Sequence, residues 1–171
     1  MAVNKMREVL IDKVVLNIGA GTEIADVERA ATLLSRISGM TAVKTFAKKR
    51  IPTWNLRPGL PVGARVTIRG KKAAELLKTL LAAADFAIPK KSFTINGFSF
   101  GVKEYVDIQG VKYDPKIGVI GLDVIVALKR RGYRVARRKI KKAKIGTSHK
   151  VTAAEAESFA KALGVKEREV E

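Results

Sequence analysis

Apolar residues recur along this chain in two rhythms. In KVVLNIGAG the run Val14, Val15, Leu16 and Ile18 stops at Gly19 and Gly21, which predicts a first strand. DVERAATLLSRISG then carries Val27, Ala30, Leu34 and Ile37 at helical spacing, with Asp26 as the expected N-cap and Gly39 just past the end. TAVKTFAKK alternates as a strand does, with Ala42, Lys44, Phe46 and Lys48 on one face and Val43, Thr45 and Ala47 on the other. VGARVTIR alternates more cleanly. Val62, Ala64, Val66 and Ile68 form an apolar face, and Gly63, Arg65, Thr67 and Arg69 form a cationic, hydroxyl-bearing one where RNA could lie. KKAAELLKTLLAAAD returns to the helical rhythm, with a stripe of Leu76, Leu77, Leu80 and Leu81.

Further on, SFTINGFSFGVKEYVDI is rich in aromatic and β-branched residues and is interrupted by Gly97 and Gly101, which predicts strands with a turn or bulge between them. YDPKIG has the turn chemistry of Asp114 and Pro115, and VIGLDVIVALK reads as a central strand. TAAEAESFAKALG has Thr152 and Glu155 at capping-box spacing and Gly164 as a stop, so a short helix closes the pattern. The order β-α-β-β-α-β-β-β-α, with two hairpin-like connections, predicts an α+β fold: a two-layer arrangement of a largely antiparallel sheet with helices packed on one face. Residues 1–171 are expected to form a single domain with a basic loop extension at about 130–150.

Charge sharpens this picture. The 171 residues carry a formal net charge of +18, and its distribution is uneven. From Arg29 to Lys72 there are eleven cations and no acid, and from Lys129 to Lys150 there are eleven more, again with no acid. All sixteen acids lie elsewhere, among twelve cations. Selective placement of this kind points to a polyanionic partner. With no Cys, disulfides, thiolate nucleophiles and thiolate metal sites are excluded. No run approaches about 18 unbroken apolar residues, and MAVNKMREVLIDK lacks an apolar core of signal-peptide length, so a cytoplasmic protein without a membrane partner is expected.

Candidate chemistry is sparse. NIGAG sits between a strand and a helix, where glycines let phosphates approach backbone N–H groups, but it lacks a third Gly at the required spacing and any Gly-Lys-Ser/Thr. A tight turn is the preferred reading; a nucleotide-binding subunit or RNA-directed enzyme using this loop is the alternative, and a non-specific RNA chaperone is another. His149 is the single histidine and lies in a Lys/Arg-rich stretch, while Glu104, Asp107 and Asp114 have no adjacent nucleophile or ligand. No catalytic residue, metal, cofactor or small-molecule substrate is expected. RRGYRVARRKIKKAKIGTSHK, with ten cations in residues 130–150, is expected to start as a strand, leave the body as a loop and touch phosphates. The proline-rich stretch IPTWNLRPGLPVGARV has two readings: a hairpin whose Trp54 folds back onto the core, or a stiff loop that carries Arg50 and Arg57 toward a nucleic-acid backbone.

Several segments resemble one family. VVLNIGAG at 14–21, TAVKTFAKKRI at 41–51, LRPGLPVGARVTIRG at 56–70, FSFGVKE and YDPKIGVIGLDV between 98 and 124 are similar in order and spacing to the universal large-subunit ribosomal protein, number five by convention, that anchors 5S rRNA in the central protuberance. YRVARRKIKKAKIGTSHKVT resembles the archaeal and eukaryotic branch, and an archaeal type is expected; Met40 stands where bacterial members usually have Gln. The resemblance implies 5S rRNA on the exposed side of the sheet, touched by Asn17, Thr41 and Thr67 and flanked by Lys44, Lys48, Lys49, Arg65 and Arg69. It implies a loop with Arg50, Trp54, Asn55 and Arg57 at the elbow of P-site tRNA, and further large-subunit rRNA contacts from Arg134, Arg137, Arg138, Lys139, Lys141, Lys142 and Lys144. It also implies a bridge to small-subunit ribosomal protein thirteen and contacts with other central-protuberance proteins.

Overall fold

A computed structural model of the chain, describing residues 4–168, lengthens the first predicted strand toward the N-terminus: β1 spans Val9–Gly19. It is followed by α1 (Ile24–Ser38), β2 (Val43–Phe46), β3 (Pro61–Ile68), α2 (Lys71–Ala83), β4 (Ala87–Pro89), β5 (Phe93–Thr94), β6 (Gly97–Val102), β7 (Leu122–Arg130), α3 (Ala153–Ala162) and β8 (Lys166–Arg168). Six strands form one sheet in the order β2-β3-β1-β7-β6-β5, and every neighbouring pair is antiparallel. The fold is the α+β arrangement that the pattern predicts, with β7 in the interior of the sheet.

Period-two alternation decides which face is covered. Val14, Leu16 and Ile18, with Ala64, Val66 and Ile68 and with Val124, Val126 and Leu128, are all buried on one side. Ala30, Leu33 and Leu34 of α1, Leu77, Leu80 and Leu81 of α2, and Ala156 and Ala160 of α3 are buried in the same core, and Val27 of α1 is buried as well. Burying one such Val, Leu or Ile stabilises the fold by roughly 1.5–3 kcal/mol before entropy is counted, so the core fixes which face remains for other work.

The helix ends follow local chemistry, with one correction. α1 starts at Ile24, earlier than Asp26 would cap it; Glu23 holds the cap position without a side-chain bond. Asp26 lies in the first turn, where it suits the positive end of the helix dipole and pairs with Arg29 at 3.0 Å. Gly39 ends α1 as expected, at φ 63 with its N–H donating to the Ser35 carbonyl. Thr152 and Glu155 form a complete capping box on α3.

Other differences have physical reasons. β2 covers only Val43–Phe46, and a register shift between Thr45 and Phe46 breaks the alternation expected across TAVKTFAKK. The end of SFTINGFSFGVKEYVDI is a 3-10 turn at Tyr105–Asp107, because the buried Tyr105 hydroxyl accepts the Asp114 N–H at 3.0 Å and draws the chain off the sheet. Asp114 also bonds Arg36 at 2.7 Å, which holds its carboxyl below the usual range. β4 and β8 form a separate parallel pair that the pattern does not foresee. The basic segment begins as expected, with Arg130 closing β7, and then runs through short 3-10 turns at Tyr133–Ala136 and Thr147–His149.

Candidate nucleic-acid interface

With the helices on one side, the other face of the sheet is left uncovered, and register places its residues in rows. Val43, Arg65, Asn17, Asp123 and Gly101 are cross-strand neighbours on β2, β3, β1, β7 and β6. A second row is Thr67, Val15, Ile125 and Ser99, and Lys13 lies opposite Ala127 beyond it. Five strands at about 4.8 Å spacing make the first row roughly 19 Å across. The open face therefore brings together Asn17, Arg65 and Thr67, with Arg69 exposed just past the end of β3.

Sequence reasoning missed three features of this face. Lys13 and Ile125 contribute to it, Ile125 being 42% exposed, and Asp123 places an acid beside Asn17. The signal was present in LDVIVALK, where Asp123, Ile125, Ala127 and Lys129 alternate with the buried residues at period two. An anionic backbone crossing this face meets attraction at Arg65 and Lys13 and repulsion at Asp123.

Lys44 does not share the open face. Its cross-strand neighbour is the buried Ala64, and its ammonium pairs with Glu28 of α1 at 2.9 Å. The β2 edge instead exposes Val43 and Phe46, at 60% and 58%. Thr41 is exposed in the turn before β2, which Ser35 and Ser38 hold through bonds to the N–H groups of Ala42 and Met40. Gly63, opposite Gly19 and Thr45, is where the strands approach closely: an added Cβ would lie 2.3 Å from the Ile18 carbonyl oxygen and 3.2 Å from Thr45 Oγ1. Gly63→Ala is expected to destabilise the protein by about 2 kcal/mol in urea unfolding, since backbone must move to admit the methyl group; an unchanged midpoint would show that the strands are not so closely held.

Between β2 and β3 the chain forms a small hairpin. Ile51 and Leu56 exchange backbone hydrogen bonds at 3.0 and 3.1 Å, Pro52 opens a 3-10 turn at Pro52–Trp54, and Asn55 follows at φ 53. Asn is among the few residues other than Gly that tolerate this left-handed conformation. Trp54 is 66% exposed, so the reading in which it folds back onto the core does not hold. Lys48, Lys49, Arg50 and Arg57 are exposed along the same projection.

The basic segment is tied to the body by ion pairs. Asp12, only 5% exposed, sits at an irregularity in the β1–β7 register and accepts two bonds from the Arg137 guanidinium, at 3.1 and 2.6 Å, and a contact from Lys129 at 3.0 Å. Tyr133 binds the side chain of Asn96 and the His149 carbonyl, and the Val151 N–H donates to both Asn96 and Tyr133. Arg137 is therefore paired with a buried carboxylate although it is itself exposed, and Arg134, Arg138, Lys139, Lys141, Lys142 and Lys144 are exposed as well. Arg138 also donates to the Lys141 carbonyl at 2.7 Å, which curls the segment.

The catalytic alternatives gain no geometry. His149 Nε2 lies 2.8 Å from the Arg131 carbonyl, and its ring lies against Tyr133. Among the described residues no group of three or more His, Cys, Asp or Glu is placed to hold a metal ion. The NIGAG turn leads into a helix whose first positions carry Glu23 and Asp26, carboxylates that would repel a phosphate there.

Comparison with known proteins accounts for this arrangement. Residues 4–57 match a family model described as ribosomal protein L5, and residues 61–165 match a second model, described as the C-terminus of the same ribosomal family. A Nanoarchaeum equitans protein named large ribosomal subunit protein uL5 is 51% identical over 147 residues, which are 85% of this chain and 87% of that protein. The Archaeoglobus fulgidus protein of the same name is 45% identical over 162 residues, 95% of this chain and 91% of that protein. The one from Sulfurisphaera tokodaii is 45% identical over 154 residues, covering 90% and 87%. The two matched segments meet in the hairpin, so they supply the adjacent strands β2 and β3 of one sheet. With both halves of the chain matched and archaeal relatives aligned over most of its length, the chain belongs to the ribosomal protein L5 family and is a structural, non-enzymatic constituent of the large ribosomal subunit.

Proposed function

We propose that the chain anchors 5S rRNA within the large subunit by laying it on the open face of the sheet. The observation that carries this reading is the juxtaposition of Asn17, Arg65 and Thr67 on neighbouring strands of a face that no helix covers. Arginine supplies charge and planar donors for phosphates, while Asn and Thr supply shorter, directional hydrogen bonds that set register on a folded RNA. Thr41, Lys48, Lys49 and Arg69, all exposed, are assigned to the same RNA, and Lys44 serves it only if RNA draws it away from Glu28.

The hairpin is proposed to reach P-site tRNA through Arg50, Trp54, Asn55 and Arg57. Proline and the Ile51/Leu56 pairing limit the freedom lost on contact, and an exposed indole can stack on a base or sugar. The exposed cations of the basic segment are assigned to large-subunit rRNA. A bridge to small-subunit ribosomal protein thirteen and contacts with neighbouring central-protuberance proteins complete the proposal, as does the organisation of residues 1–171 as one domain.

Equilibrium binding of the purified protein to 5S rRNA, with excess bulk tRNA as competitor and at two salt concentrations, tests the central claim. Tight binding is expected to survive the competitor. Asn17→Ala and Thr67→Ala are expected to lower the preference for 5S rRNA by several-fold, whereas Lys48→Gln weakens all RNAs alike. Equal losses on every RNA for all three variants would remove the register role from Asn17 and Thr67.

A further inference from the structure

Asn96 lies at the tip of the hairpin between β5 and β6 and joins separate parts of the molecule. Its N–H donates to the Val151 carbonyl at 3.1 Å, and its carbonyl accepts the Leu128 N–H of β7 at 2.7 Å. Its side-chain Oδ1 accepts from the Tyr133 hydroxyl at 3.1 Å and from the Val151 N–H at 3.2 Å. Tyr133 belongs to the first turn of the basic segment and Val151 lies just past its far end, so one amide side chain pins both ends of that segment to the sheet.

The fold dictates both residues of the Asn96–Gly97 pair. Asn96 sits at φ 67, a left-handed conformation that Asn adopts more readily than most residues. Gly97 is buried against β7, where an added Cβ would collide with the Val126 carbonyl oxygen. Asn followed by Gly is also chemically labile, because a glycine nitrogen, with no side chain beside it, reaches the Asn amide carbon with little hindrance. Of the four asparagines, Asn4, Asn17, Asn55 and Asn96, only Asn96 precedes a Gly.

We propose that Asn96 is a site of spontaneous deamidation, held off by its hydrogen bonds in the closed fold and started when they open locally. The Gly97 nitrogen bonds Asn96 Cγ, the Cγ–Nδ2 bond breaks, and the amide nitrogen leaves as ammonia with the proton that Gly97 gives up. One water then opens the cyclic imide, giving aspartate or, with the main chain rerouted through the side chain, isoaspartate. Ring closure brings Cγ onto the Gly97 nitrogen, so the amide has to leave Tyr133 and Val151, and the hairpin tip has to loosen from β7. Isoaspartate lengthens the main chain at the tip and cannot restore these bonds, so the basic segment loses its seat.

The test incubates the full chain in alkaline buffer, native and in strong urea, and follows each Asn by peptide mass mapping, with enzymatic methylation of isoaspartyl carboxyls as a second readout. In urea Asn96 is expected to convert ahead of Asn4, Asn17 and Asn55, and in the native protein it converts far more slowly. Tyr133→Phe should speed native conversion about fivefold, the factor that one net hydrogen bond carries, while Lys78→Gln, on exposed helix surface, leaves it at the parental rate. Another Asn leading in urea, equal rates for Asn96 with and without urea, or Y133F at the parental rate overturns the proposal. Should Y133F fail to fold, the parent in a urea series decides: conversion that rises before the global transition supports local opening, and conversion that rises only with it overturns that gate. In a last arm, protein carrying isoaspartate at position 96 is expected to be cut by trypsin in the basic segment about tenfold faster than the parent, while Asn96→Asp, which keeps an acceptor in place, is cut at the parental rate. Isoaspartyl protein cut no faster than the parent, or N96D cut equally fast, overturns the loss of the seat.

Discussion

Replacing Asp12 with Asn is expected to lower stability by about 2 kcal/mol at neutral pH, a fall of roughly 4–8 °C in thermal midpoint for a chain of this size. The Arg137 guanidinium is the main reason: it holds the Asp12 carboxyl down at about 2, against the opposing effect of burial and with help from Lys129. A folded value below the unfolded one means that the carboxylate stabilises the protein at pH values above about 4 and loses that effect as pH falls toward 2. The difference between the parent and Asp12→Asn in urea unfolding should therefore be full at pH 7 and shrink between pH 4 and 2. A difference that stays constant across that window would mean that packing, not charge, is what Asp12 supplies. The variant should also be cut faster by trypsin after Arg137, because the basic segment loses one of its ties to β1.

Arg65→Glu is expected to weaken 5S rRNA binding by about a hundredfold at moderate salt while leaving the unfolding midpoint almost unchanged. Arg65 is exposed, so little packing is lost. It stands between Val43 and Asn17 in the row that ends at Asp123 and Gly101, and reversing its sign puts two acids in one row facing the RNA backbone. The slope of log affinity against log salt should become shallower by about one to two units, the signature of lost phosphate contacts. If affinity and slope both stay at parental values, the RNA lies on another surface and the assignment of Asn17 and Thr67 falls with it.

The sequence showed most clearly those elements whose burial is strictly periodic. β3 could be read residue by residue, because Ala64, Val66 and Ile68 are buried and Arg65 is not. α2 and the capping box of α3 were equally legible, since each depends on neighbours within four residues. β2 was not, because it is a four-residue edge strand with a register shift and its two faces differ little in polarity. Which way Lys44 turns could not be read from that pattern: its ammonium pairs with Glu28 of α1. Trp54 defied the usual preference of aromatic residues for the core because Pro52 and Asn55 turn the chain at the hairpin tip. The tie between Asp12 and Arg137 could not be seen at all: the partners are 125 residues apart, and nothing local distinguishes Asp12 from a surface acid. The β4 and β8 pairing escaped for the same reason, three residues on each side being too few to leave a pattern.

The register of the sheet has a consequence for synthesis. β1 pairs with β7 from Val9 opposite Arg130 to Asn17 opposite Asp123, so one whole edge of β1 waits for more than a hundred residues to be made. At about 5–20 residues per second that is at least about five seconds, long after β3 and α2 have become available to the other edge. During that interval an apolar strand with unpaired N–H and C=O groups is a template for pairing with another nascent chain. Asp12 and Lys13 interrupt that edge with adjacent charges, and the irregularity at Asp12 spoils the straight ladder that a foreign strand would need. The same carboxylate that later ties the basic segment to the sheet thus guards the growing polypeptide against aggregation until its proper neighbour arrives.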